Sequence, residues 1–561
     1  MQNLLRSTTA AIVIALAAVA SAQNEANREE PGFGPDPRVS QSPVAPILPG
    51  LGTHSLSVTT KSPEAQRFFD QGLALTYAYN HAEAKRAFQE ATRLDPDCAM
   101  AYWGWALVLG PNLNAPMSAD NVEEAYWAIQ QANDRKSNAT AMEQAFINAL
   151  SARYAEKAVD DRAPLDKAYY EAMEKVYADY PTDPDVASLF AATIMNMSPW
   201  NYWTKDSNPR SRTEQALEVL EKIVESNPNH AGALHYYIHL VEEHYPEKAE
   251  AGSDSLIKVM PGSGHLLHMP SHIYMRIGRY ADAFESNRLA VAADEGYIAA
   301  CAAQGMYPAA YYPHNIHFQA WAAQREGRSV EALKHSRKVG EMARKSSEAG
   351  MVWAIHQIFH SMPYYMFIRF GKWDELLREP TPPKEQIFSR GLFHMGRGLA
   401  YIEKGNLRKA SKELSTLKKA AENKIAQEEF VGSASAVTVL EIAVNVLAGE
   451  LALAQGKGDK ALNHFEMATR LEDSMKYTEP PDWMLPTRHN LGNALLELGK
   501  TAQAETVFWE DLKRNPENGY SLFGLHQALI AQEKTGDAEI IQERFEKAWV
   551  AADVILSSSR Y

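Results

Sequence analysis

From Pro63 onward, apolar residues recur at intervals of three and four along the chain, and short Gly, Pro or Asn-Pro breaks interrupt the pattern. Strict apolar/polar alternation is nearly absent. The pattern predicts a chain that is mostly helical, its helices separated by those breaks. Upstream the character differs. Residues 23–62 are rich in Pro, Gly and Ser, with Pro31, Gly32, Gly34, Pro35 and Pro37 followed by Pro43, Pro46 and Pro49, and they read as a flexible lead-in. Residues 1–22 read as a secretory signal peptide: Arg6 precedes an apolar run from Ala10 to Ala20, and the small residues Ala20-Ser21-Ala22 stand before Gln23. That run is too short to span a bilayer. The expectation is a periplasmic or secreted protein with no membrane span in the mature chain.

Internal repetition turns many helices into one architecture. Phe68, Gly72 and Leu75, then Ala84, Phe88, Ala91 and Pro96, form a helix-turn-helix unit. The spacing returns as Leu491, Gly492 and Leu495, then Ala504, Phe508 and Pro516. Weaker copies run through Gly398, Tyr401, Ala410 and Leu414, through Gly449, Ala461, Phe465 and Ala468, and around Gly278-Arg279-Tyr280 with Ala283 and Ala290. On these residues the chain resembles an exported bacterial tetratricopeptide-repeat protein over roughly residues 63–561. The resemblance implies an all-α fold, a tetratricopeptide-like helical-hairpin solenoid (an α-α superhelix) with degenerate central repeats. It also implies a concave groove that holds a protein or peptide partner. Three stretches follow the lead-in: N-terminal repeat-like helices over 63–229, His-rich central helices over 230–370, and C-terminal repeats over 371–561.

Charge narrows the partners. The 561 residues carry a formal net charge of −14, which repels phosphate backbones, and no Lys/Arg run offsets it, so nucleic acid is excluded as an expected partner. Two cysteines, Cys98 and Cys301, allow one disulfide at most and exclude a thiolate zinc site.

Histidine changes the picture most. Twelve of the 18 histidines fall between His230 and His360. His235 and His239 are four apart, as are His268 and His272, with His265 one turn earlier, and His356 and His360; His314 and His317 are three apart. On a helix such pairs share a face, so each can offer two imidazoles to one metal ion. Imidazole nitrogen suits zinc, copper or iron, and two pairs make a four-nitrogen site or a three-nitrogen site with an open position. The candidate ligands are His235, His239, His268, His272, His314 and His317. Glu242, one turn beyond His239, is a candidate base or ligand-orienting carboxylate, and Tyr312 a candidate proton donor. Neither the zincin motif nor the Glu-x-x-His pair of di-iron bundles is present.

Aromatic groups flank this stretch. Tyr311 and Tyr312, between Pro308 and Pro313, and Trp200 and Trp203 are candidate ligand-binding residues. Gly499-Lys500-Thr501 resembles the end of a phosphate-binding loop, but Gly492 is misplaced for one, and the segment reads as a turn between helices. Gly262-Ser263-Gly264 reads as the start of the helix carrying His265. Two functions follow: an exported scaffold that binds a protein, peptide or other ligand in its groove, or a metal-binding protein or oxidative or hydrolytic metalloenzyme. They differ in whether the histidines converge.

Overall fold

The computed structural model describes residue 40 and residues 42–301, 307–348 and 354–561; the expected signal peptide, most of the expected lead-in and the Gly305-Met306 part of the aromatic loop lie outside them. The fold is all-α, a succession of helical hairpins of tetratricopeptide type. Among the described residues, strand is confined to one two-residue pair, Phe430–Val431 with Ala434–Ser435. The described chain divides into two compact units, an N-terminal one of residues 40–273 and 289–312 and a C-terminal one of Tyr274–Arg288 and Pro313–Tyr561. This division runs through the His-rich stretch 230–370.

In the N-terminal unit, helix Pro63–Tyr77 packs on His81–Leu94, which packs on Ala99–Leu109. Each start is encoded locally. Ser62 accepts the Ala65 N–H with Pro63 in the first turn, Asn80 accepts from Glu83, and Thr140 with Glu143 closes a reciprocal capping box. The repeat signature has a steric meaning. Phe88 is fully buried, with its ring wedged between Gly72 and Gly104; a Cβ at those positions would come within 2.7 and 2.3 Å of the ring. The helices can approach that closely only because glycine stands there. In the C-terminal unit Phe508 sits in the same way between Gly492 and Gly524, so both clear copies found in the sequence use one packing device.

Between helices the hairpins turn on a residue with positive φ placed two before the next helix. Gly278, Gly327, Gly371, Gly405, Gly456 and Gly499 take this role, and Gly499-Lys500-Thr501 is such a turn rather than a phosphate loop. Helix Ala436–Ala454 is long and apolar enough to cross a membrane, but 67% of it is buried. It packs on Ile387–Glu403, Leu407–Ala421 and Gly458–Ser474, and its Glu450 pairs with Arg560 and Asn490, as suits a core helix.

Residues 42–62, expected to be part of a flexible lead-in, instead form a strap tied to the helices of the N-terminal unit. Val44 and Leu48 donate their N–H groups to Glu90 and Gln71, Thr59 bonds the Glu143 carboxylate, and Thr60 and Lys61 bond Asp95. The Gly262 N–H donates to Gly50. Proline and glycine remove regular structure here, but the backbone groups find side-chain partners on the helices and the segment is held. Cys98 and Cys301 are both free thiols.

The Phe88 wedge gives a paired test. Gly104→Ala should cost about 1–3 kcal/mol through overpacking, whereas Gly296→Ala, with nothing within 4 Å of the new methyl, should gain about 0.5–1 kcal/mol of helix propensity. Denaturation midpoints that move in opposite directions for the two variants are the expected outcome.

Candidate metal centre

Helix Ala231–Val241 is buried along its whole length among Pro184–Met197, Thr213–Ser226 and Pro63–Tyr77. Gly232 lets it approach Tyr77, whose ring would lie 2.4 Å from a Cβ there. The four-residue spacing puts His235 and His239 on one face. A second element, Gly264–His268 continuing into Pro270–Ile277, starts on a Ser263 cap and carries His265, His268 and His272. A third, a π-helical turn over Tyr307–Tyr311, sets two phenols. Tyr307 accepts the His265 N–H at 3.0 Å and donates to Asp294 at 2.9 Å. The Tyr311 ring meets the edge of the His265 ring at 4.7 Å between centroids, and its hydroxyl accepts from Asn114.

These elements bring ligand atoms of His235, His239 and His265 within 4.8 Å of one another, with all three residues buried. Hydrogen bonds decide which nitrogen is available. His235 Nδ1 lies 2.6 Å from the Tyr77 carbonyl, which can only accept, so Nδ1 carries the proton and Nε2 keeps its lone pair. That Nε2 is 3.2 Å from His265 Nε2. Neither ring nitrogen of His239 has a hydrogen-bond partner, although the residue is only 4% exposed. Its Nδ1 lies 3.6 Å from one oxygen of Glu242, whose other oxygen is 3.3 Å from Nδ1 of His272. His272 Nε2 in turn is 2.9 Å from His268 Nε2. Burial, and then neighbouring imidazoles, hold His235, His239 and His265 well below the ordinary histidine range. Burial lowers His272 also, against the opposing charge of Glu242. Neutral imidazole is the ligating form.

Aromatic rings enclose the trio. Tyr79 lies 4.5 Å from His235 by ring centroids and is stacked over His239 and His265. It occupies the positive-φ turn position, φ 52°, that glycine fills in six other hairpins. A buried tyrosine in the left-handed region carries strain of roughly 1–2 kcal/mol. Trp200, on a loop and also at positive φ, sets its edge 5.1 Å from His239 while 42% exposed, so it separates the trio from solvent.

The candidates taken from the sequence thus have different fates. His235 and His239 converge with His265, which stands one turn before His268 and outside the predicted ligand pairs. His268 and His272 form an adjoining pair, and Glu242 faces both His239 and His272. Tyr311 is at the cluster, whereas Tyr312 turns away and donates to Glu295 at the surface. Trp203 is a fastening residue, with its indole N–H on the Leu240 carbonyl at 2.7 Å. His314 and His317 belong to the C-terminal unit. The His314 ring packs on Phe318; His317 is buried against Phe359, and burial lowers its pKa to about 3. The side chain of His356 lies outside the described residues. The sequence reading missed Tyr79, whose only local signal is a tyrosine at a turn position that glycine fills in six other hairpins.

A second cluster, His54, Asp185 and His230, also brings ligand atoms within 4.8 Å, but its protons are arranged differently. His230 caps its helix by accepting the Ala233 N–H on Nδ1, so its proton is on Nε2, which points at Asp185 Oδ1, 3.2 Å away. The same oxygen receives His54 Nε2 at 2.8 Å and the Tyr77 hydroxyl at 2.6 Å. Three donors on one carboxylate make a clasp that holds the strap, whereas in the trio the lone pair of His235 Nε2 faces Nε2 of His265.

Residues 69–109 match the tetratricopeptide repeat family. Among solved structures, the human IFIT1 dimer with m7Gppp-AAAA is 14% identical, with 88% of this chain and 92% of that one covered at a TM-score of 0.31. A tetratricopeptide repeat protein from Parabacteroides merdae is 12% identical, with 56% and 89% covered at 0.28. The APC/C hetero-tetramer Cut9-Hcn1 is 14% identical, with 86% and 73% covered at 0.28. No curated protein matches the chain.

The clasp has a pH window. Burial works against a charged His54, but the hydrogen bond and charge of Asp185 outweigh it and raise the pKa. Burial opposes the Asp185 charge too, yet the two histidines bring its pKa below the ordinary value. Stabilisation by His54 is complete below its ordinary pKa of 6.5 and is lost as pH rises through the raised value. That by Asp185 is complete above 3.8 and is lost as pH falls through the lowered one. Amide exchange in residues 42–62, taken relative to its intrinsic rate at each pH, should therefore be slowest between pH 3.8 and 6.5. His54→Ala should speed it about tenfold, as expected for one charge-assisted hydrogen bond.

Proposed function

We propose that this helical-repeat scaffold is a metal-binding protein whose N-terminal unit holds a first-row transition ion on His235, His239 and His265. The observation that carries the reading is His239: a buried imidazole with no hydrogen bond, within ligand reach of two other imidazoles. Burying such a group without a partner costs about 1–3 kcal/mol, and a cation bound to the trio removes that cost. An all-nitrogen set selects zinc, copper, iron or nickel over the oxygen-preferring calcium and magnesium. Three nitrogens leave a coordination position open to water or a small substrate. Glu242, with one oxygen 3.6 Å from Nδ1 of His239, supplies negative charge beside the trio, and the Tyr77 carbonyl fixes the His235 ring by accepting from its Nδ1. The aromatic enclosure lowers the local dielectric and gives a bound molecule rings to pack on, which suits oxidative or hydrolytic chemistry at the open position. The signal-like residues 1–22 support a place outside the cytoplasm, and the repeats support a protein or peptide partner in addition.

Full-length protein purified without a histidine tag, loaded with zinc(II) or copper(II) and dialysed, tests this by elemental analysis. His239→Ala should lower metal affinity at least tenfold, and Glu242→Gln should lower it about 10- to 100-fold. His230→Ala, which removes a clasp histidine, should retain the metal. Equal retention by all three variants, with circular dichroism unchanged, would refute the reading.

A further inference from the structure

In the C-terminal unit, three hairpins carry an arginine at one position, two residues before the positive-φ glycine of the turn: Arg276 before Gly278, Arg325 before Gly327 and Arg369 before Gly371. Arg276 is partly exposed and finds the carboxylate of Glu479 at 3.9 Å. Arg325 and Arg369 are 2% and 1% exposed, and among the described residues no carboxylate pairs with either. Buried arginine is ordinarily paired, because it does not shed its charge by losing a proton. Nε and Nη1 of Arg325 and Nε of Arg369 have no hydrogen-bond partner. The other nitrogens of Arg369 meet neutral groups: Nη1 donates to the Arg560 carbonyl at 3.3 Å, and Nη2 donates to Nδ1 of His489 at 3.1 Å.

Asp511, whose charge acts on both guanidiniums, is bonded elsewhere. Since a guanidinium only donates, His489 accepts on Nδ1 and carries its proton on Nε2, which faces Asp511 Oδ2 at 3.2 Å. Ser521 donates to the same oxygen at 2.6 Å and Asn515 to the other at 3.0 Å. Burial, against the charge of Asp511, lowers His489 to about 4, so the ring is neutral. Burial opposes the Asp511 charge as well, but the groups bonded to it hold its pKa at about 2. Burial, with the charge of Arg325 adding to it, lowers Arg369 to about 10, which leaves it charged at neutral pH. Two guanidiniums and one carboxylate therefore leave one uncompensated positive charge in the interior. Tyr520 adjoins it: its ring lies 4.1 Å from the Arg369 guanidinium carbon and stacks on His489, and its buried hydroxyl has no partner. Trp321, one turn before Arg325, is also buried with its indole N–H unpartnered.

We infer that the C-terminal unit binds a small carboxylic acid, whose carboxylate is held by Arg325, Arg369 and the Tyr520 hydroxyl. The idle groups are donors, and a guanidinium fits a carboxylate with paired N–H bonds. One net positive charge matches a carboxylate, whereas a phosphate group carrying nearly two negative charges would leave a buried excess. Burial of both guanidiniums suits a small molecule rather than a polypeptide that must continue past its charged group. The arginines also explain themselves better as ligand contacts than as props of the fold, since a buried charge without a counter-charge destabilises the empty protein. This site is independent of the histidine trio, which belongs to the other unit.

Calorimetric titration of the full-length protein, dialysed free of carboxylate buffers, with acetate, benzoate and inorganic phosphate at matched ionic strength tests this. At least one of the two carboxylates should bind saturably with one site per chain and more tightly than phosphate. Arg325→Met and Arg369→Met should each weaken that binding at least about tenfold, as expected when one partner of a buried charge pair is removed. His230→Ala, in the other unit, should bind as the parent does. Thermal melts supply a readout that a purely structural role would not give: without ligand, Arg325→Met should melt at or above the parent temperature, and the carboxylate should raise the melting temperature of the parent alone. No saturable binding of either carboxylate would overturn the inference, as would binding retained by both arginine variants. Tighter binding of phosphate would overturn the ligand class. A peptide that binds through its free C-terminus without competition from the small acids would overturn the small-molecule assignment. An Arg325→Met variant that melts below the parent without ligand would show the guanidinium to be serving the fold, which also overturns it.

Discussion

The carbonyl of Tyr77 accepts the Nδ1 proton of His235, and much of the site depends on that bond. The acceptor closes the first repeat helix, and the donor sits 158 positions later in the middle of a buried one. The bond fixes the tautomer, so the lone pair on Nε2 faces Nε2 of His265, 3.2 Å away. Its geometry requires the two helices to be in close contact, which Gly232 permits by leaving room for the Tyr77 ring. The hydroxyl of the same tyrosine reaches Asp185. One residue therefore orients the histidine trio with its backbone and completes the clasp with its side chain.

Around this contact the repeat scaffold provides rigidity of a particular kind. Two hairpins close on an aromatic ring held between glycines, Phe88 and Phe508, and many of the turns are set by a residue in the left-handed region. Tyr79 occupies one of those turns despite its side chain, and it covers the trio. The strain at this turn is sustained because the flanking helices, capped at Ser62 and Asn80, over-determine its backbone. Glu242 links the two histidine sets on the other side, from the end of the helix that carries His235 and His239.

What the sequence revealed and what it hid follow the range of each interaction. Hairpin architecture was legible from Gly72, Phe88, Gly492 and Phe508 because a repeat encodes its packing within one unit. The pairs His235/His239 and His268/His272, and Glu242 beside the first, were legible because helical periodicity is local. The partner of His235 was not, because His265 shares a turn with His268 in sequence and only the packing of two helices turns it toward a different set. Tyr79 and the His54–Asp185–His230 clasp draw on segments far apart in the chain, and no spacing rule reaches across such distances. The strap misled for a related reason: composition reports that residues 42–62 form no regular element, but not whether their backbone groups find partners elsewhere.

The strap also orders the life history of the molecule. Its anchors are spread from Gln71 and Glu90 on the first two helices to Gly262 in a turn far along the unit, so the strap is held throughout only when the whole unit is in place. Closure of the strap then marks a finished unit, with the histidines already enclosed.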